Sequence, residues 1–190
     1  MTLLLAPDAF RLPSPAEPGQ AAELWRGQCV ALFARGEEAV WRTLRHAAAA
    51  GHTVKFEHLA GQRMNTLREL ADATGGTAKQ DRRLKAALDD WQKLEERRRF
   101  LAHGAASVWT GARAQWLLAL DLTFARQGRP EDERWALRPE EMEAYRAALE
   151  AAFKALSREL GQLRKRLGVV GGCKGALPEV TGNTEERRTT

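Results

Sequence analysis

"LKAALDDWQKLEERRRFLAHG", residues 84–104, places apolar side chains at Leu84, Ala87, Leu88, Trp91, Leu94, Leu101 and Ala102. Steps of three and four put these on one face of a helix, so the segment from Ala78 to His103 reads as an amphipathic helix lying on a core. Arg98 follows Trp91 by seven residues and Leu94 by four, and so belongs to the same stripe. A guanidinium on an apolar face costs free energy unless it is paired or solvated, which places Arg98 at a groove or a subunit seam. Glu95 is the nearest acidic partner but lies at the edge of the stripe. Gly104, which readily adopts a left-handed conformation, is read as stopping the helix so that His103 can swing toward the surface that Arg98 lines.

Working outward, Gln20 to Ala50 is alanine-rich with helical spacing at Leu24, Val30, Leu32, Phe33, Val40, Trp41 and Leu44, which predicts one long helix or two joined near Gly36. Gly51 ends it, and "FEHLAGQRMNTLRELADA", residues 56–73, continues the helical pattern up to the glycines at 75 and 76. Beyond Gly104 the period changes. "ASVWTG", "QWLLALDLTF" and "RWAL" predict a two- or three-stranded β-appendage at about 105–137, with "RQGRPEDE" as a separator. Pro139 then opens a long helix, followed by Glu140 and Glu141 at its positive end, with a stripe from Met142 to Leu167. The fold expected is mainly α. Prolines at 7, 13, 15 and 18 make residues 1–19 an irregular arm, residues 20–167 form one helical domain, and the Gly- and Thr-rich 168–190 form a tail.

The chain of 190 residues carries 30 Lys and Arg against 25 Asp and Glu, a formal charge of +5. That excess favours polyanionic partners, because basic surface displaces counterions from phosphates. The first residues lack the basic start and apolar run of a secretory signal, and no run approaches the length of a membrane span, so the expectation is a soluble cytoplasmic protein without membrane contact. Cys29 and Cys173 belong to no CxxC pair, which argues against a disulfide framework or thiolate metal site. His46, His52 and His58 recur every six residues rather than at the three- or four-residue spacing of helical metal ligands, and are read as solvated or core-edge residues. "ATGGTAKQ", residues 73–80, lacks the spacing of a phosphate-wrapping loop.

Arg98, four intervening residues and then His103, in "RRFLAHG" at the end of a helix, resemble the R-x4-6-H motif of the HEPN superfamily (higher eukaryotes and prokaryotes nucleotide-binding). The order of elements over residues 20–167 is similar to that family's helical bundle, although only the short motif is specific. The resemblance implies a homodimer in which two motifs meet at the seam as a metal-independent endoribonuclease site, with no cofactor. Arg98 would stabilise the phosphate and His103 would transfer protons. It also implies a toxin or antiviral defence effector, frequently encoded beside an antitoxin or other regulatory protein. Arg99 stands where the family often has a polar residue such as Asn, and Ala105 where one variant has tyrosine. Arg97 and Arg99, together with Trp109 and Trp116 beside the turn of the first hairpin, are the candidate RNA contacts. The competing reading is a non-catalytic helical module that dimerises through the Trp91 and Leu94 face and binds protein or RNA.

Overall fold

A computed structural model describes residues 17–111 and 115–170. The order is α1 (Pro18–Ala49), α2 (Ala60–Thr74), α3 (Ala78–Glu95), α4 (Arg98–His103), β1 (Ala105–Thr110), β2 (Trp116–Arg126), β3 (Arg129–Leu137) and α5 (Pro139–Val170). The chain is mainly helical with one three-stranded antiparallel sheet, ordered β1-β2-β3. The arm up to residue 16 and the tail beyond 170 lie outside the described residues, while Pro18 and residues 168–170 belong to the long helices rather than to those segments. No helix among the described residues is long and apolar enough to cross a membrane.

The helices α1 and α5 run parallel. The Trp25 indole donates to the Met142 carbonyl at 2.7 Å, Arg35 lies 4.6 Å from the centre of the Phe153 ring, and Arg164 donates to the Thr43 hydroxyl at 2.8 Å. Both partners therefore advance together along the chain. α1 passes Gly36 unbroken, so the alternative of two helices joined there does not occur. Gly36 serves packing instead: a Cβ at this position would overlap the Trp91 indole. That indole is fully buried, edge-on to Phe33 at 5.4 Å and 6.4 Å from Phe153. Trp91 is consequently unavailable as a dimerisation face, which corrects that part of the binding-module expectation. The α5 stripe is buried at Met142, Leu149, Ala152, Leu156, Leu160, Leu163 and Leu167, as its spacing predicts.

The segment 78–103 is not one helix. α3 starts at a capping box in which Thr77 and Gln80 satisfy each other's backbone amides, and it ends at Glu95. The amides of Arg97 and Phe100 then bond three residues back, to Leu94 and Arg97, which tightens the chain before α4 resumes. This break shifts the helical phase: Phe100 and Leu101 are buried, whereas Ala102 is exposed. Gly104 leaves α4 with φ −68° and ψ 138°, so the expected left-handed stop is not used. Glycine is required for space, since a Cβ here would press on the Phe100 carbonyl oxygen. We expect Gly104→Ala to destabilise the fold by about 1–3 kcal/mol, as overpacking typically does, read as a lowered urea midpoint with unchanged slope.

The sheet is continuous with the bundle core rather than a peripheral appendage. Leu118, Leu120 and Leu122 alternate inward from β2 into the same apolar cluster as α1, α3 and α5. Trp25, Phe100, Trp135 and Tyr145 join α1, α4, β3 and α5, with ring centres 5.0–6.1 Å apart. Tyr145 also donates its hydroxyl to the Leu94 carbonyl at 2.9 Å, tying α5 to the end of α3. "RQGRPEDE" is mostly strand: Arg126 pairs with Arg129 around Gln127 (φ 52°) and Gly128 (φ 77°). Two successive positive φ values suit the twist of a two-residue hairpin, and Pro130 is tolerated because β3 is an edge strand.

Candidate active site around α4

Arg98 is the first residue of α4 and His103 the last. Because the Gly104 amide still bonds the Phe100 carbonyl at 2.9 Å, His103 keeps its helical register. Residues five apart on a helix diverge by about 140°, so the two motif side chains leave the helix in different directions within one chain. The residue sharing the His103 face is Arg99, one turn earlier. His103 is exposed, and its imidazole makes no hydrogen bond to any described residue.

Arg98 is half-buried against α1, where its guanidinium bonds the Glu37 carboxylate, and Glu95 lies 3.8 Å away. Arg63, from α2, reaches the other Glu37 oxygen at 3.9 Å and stacks 5.2 Å from the centre of Trp41. Two arginines and two glutamates from four helices therefore form a near-neutral cluster above Trp91 and Met64. Burial, more than any neighbour, raises the Glu95 carboxyl above its ordinary range; Arg98 opposes this, Glu37 adds to it and Arg63 opposes it. Sequence reasoning found the Glu95 contact as a possibility but missed Glu37 and Arg63. No local pattern marks a partner 61 residues away.

The remaining candidates separate. The guanidinium of Arg97 sits 5.6 Å from the centre of Trp135, and that of Arg99 bonds Glu133 on β3 while lying 5.1 Å from Phe124. Trp109 is 55 % exposed with Arg134 over its ring at 5.6 Å, and Arg134 is in turn held by Asp121 at 2.6 Å. The Arg134 hydrogen bond draws the Asp121 carboxyl below its ordinary range. Trp116 packs against the core. Trp109 pairs with Leu117, so the residue next along β2, Trp116, faces the other side. The two tryptophans do not form a common stacking platform.

Cys29 on α1 is a buried free thiol, and burial, opposed by Arg146, pushes it from an ordinary value of 9.0 up to about 12. Only the thiolate is nucleophilic. Iodoacetamide at pH 8 should therefore leave Cys29 unmodified in the folded protein and label it once urea unfolds the chain. Between pH 9.0 and about 12 the unfolded thiol releases its proton while the folded one retains it, so stability falls as pH rises through that window. Cys29→Ala should lessen this alkaline slope, leaving the part due to the Tyr145 hydroxyl, which burial also raises.

Comparison of the chain with protein-family models, with curated proteins and with solved structures finds no match.

Proposed function

We propose that this protein is a metal-independent endoribonuclease of HEPN type, a toxin or antiviral defence effector acting through Arg98 and His103 of two copies. The observation that carries the reading is the placement of His103: an imidazole at the exposed end of a helix, in an arginine-rich turn, with no hydrogen bond to the described protein. No described residue bonds it. An imidazole changes charge close to neutral pH and can take the proton of a 2′-hydroxyl as that oxygen attacks the adjacent phosphorus. The 5′-oxygen leaves with a proton from a second acid, and the products are a 2′,3′-cyclic phosphate and a 5′-hydroxyl. A guanidinium opposite the phosphate stabilises the charge that builds in this step.

The divergence of Arg98 and His103 around α4 is consistent with a site completed by a second copy, in which one chain's arginine meets its partner's histidine. Arg98 must then exchange Glu37 for phosphate. The Glu37 contact is itself a charge-assisted hydrogen bond, so the exchange replaces it with a two-pronged contact of the same kind and leaves Glu37 facing Arg63 at 3.9 Å. The test is cleavage of total RNA in EDTA by the wild type beside His103→Ala.

The Arg98–Glu37–Glu95 contacts favour a second reading, a non-catalytic helical module in which Arg98 fastens α4 to α1. The two readings differ in what Glu37→Gln does. In a ribonuclease it frees Arg98 for phosphate and preserves or raises cleavage; in a binding module it only lowers the melting temperature.

A further inference from the structure

The parallel packing of α1 and α5 leaves an open groove of about 540 Å³. Small side chains line it, Ala34 and Ala39 from α1 and Ser157 from α5. Its rim carries three guanidiniums, from Arg35, Arg42 and Arg164. Arg35 lies over the Phe153 ring, Arg164 donates to the Thr43 hydroxyl at 2.8 Å, and Arg42 has neither a hydrogen bond nor an ion pair among the described residues. The one carboxylate in the groove, Glu38, is held by Arg45 at 2.9 Å. None of the three rim arginines is therefore matched by an acid. Burial, and after it the charge of Arg42, lowers the Arg164 guanidinium below its ordinary range, as expected of cations held together without a counter-ion.

The groove offers donors and almost no acceptors. Its walls are helices whose amides are bonded internally, so an extended peptide would find no backbone partners there. Phe153 is already covered by Arg35, which leaves no free aromatic face for a base. An anion that presents only acceptor oxygens, and that accepts the forked geometry of guanidinium, fits these constraints. We propose that the groove between α1 and α5, rimmed by Arg35, Arg42 and Arg164, binds phosphate groups, either of a free phosphate or pyrophosphate or of a single-stranded nucleic-acid backbone. This site is separate from α4 and does not rest on the ribonuclease reading.

The experiment titrates wild type and Arg42→Glu with inorganic pyrophosphate by calorimetry and with a fluorescent single-stranded oligo(dT) by anisotropy at several salt concentrations. Oligo(dT) has no 2′-hydroxyl, so it cannot be consumed by the proposed cleavage. Saturable binding of either probe by the wild type, weakened about tenfold or more in the variant, supports the site. Pyrophosphate alone identifies a free phosphate source. Oligo(dT) alone, with a salt slope reduced by about 1 in the variant, identifies the backbone. Arg42→Glu places a carboxylate near Arg164 but one turn from Glu38, so the melting temperature of the variant is measured beside the wild type, and a matching value separates loss of binding from loss of fold. Absence of saturable binding to both probes, or equal binding by both proteins, overturns the proposal.

Discussion

On the proposed ribonuclease reading, replacing His103 by alanine is expected to suppress cleavage of total RNA in EDTA while leaving the fold and the oligomeric state as they are. The size of the effect follows from the role assigned: a positioned proton-transfer group contributes about 10²- to 10⁴-fold in rate. The structural contribution of His103 is small, since its side chain is exposed and bonded to nothing described. An imidazole at a helix C-terminus gains at most about 0.3–1 kcal/mol from the helix dipole when charged. The melting temperature should therefore move by only a few degrees, roughly 2–4 °C per kcal/mol for a domain of this size. Wild-type fragments with cyclic phosphate ends, absent from the variant, would establish the assignment. Equal cleavage by both proteins would remove His103 from the chemistry, and no cleavage by either would favour the binding module.

Truncating Trp91 to alanine should cost about 3–5 kcal/mol of stability, as for other fully buried large aromatic residues. The indole is 1 % exposed and fills the space that Gly36 leaves on α1, with Phe33 and Phe153 around it. Gly36→Ala alone should also destabilise, by about 1–3 kcal/mol, because the added methyl overlaps the indole. The two changes occupy the same space, so their costs should not add. With Trp91 already alanine, Gly36→Ala should become neutral or favourable, since alanine is the better helix former by about 1 kcal/mol. Urea unfolding of the two single variants and the double variant measures this directly. Additive losses would show that Gly36 and Trp91 do not share that contact in solution.

The elements were legible in proportion to how local their signals are. The α5 stripe repeats over many turns, and its buried residues match the predicted face. The strands were found but cut short, because "RQGRPEDE" looks like a loop by composition while its residues continue the ladder around a two-residue turn. The segment 78–103 misled more seriously. A helical stripe drawn through Leu94, Arg98 and Ala102 assumes constant phase, and the tightened turn at Glu96 and Arg97 breaks that phase. As a result Phe100, which the stripe omitted, is buried in the aromatic cluster, and Ala102 is not buried.

The candidate site divides in the same way. That an arginine on this segment would need a partner followed from the cost of desolvating its charge. Which partner it takes did not: Glu37 belongs to another helix, and only the packing of α1 against α4 brings it to Arg98. The three arginines of the α1–α5 groove are likewise unremarkable in sequence, where Arg35 and Arg42 are two turns apart and Arg164 lies far down the chain. Alone, the sequence determined the helical character of the chain, the position of its strands, its basic charge and the short motif ending at His103, because helix and strand periods, turn residues and charge are properties of neighbouring residues. Tertiary structure decided the parallel pairing of the long helices, the merging of the sheet with the core, the pairing of Arg98 with Glu37 and the assembly of unpaired arginines in one groove. Each of these depends on contacts between residues distant along the chain, which buried area and hydrogen bonding select only once the elements pack.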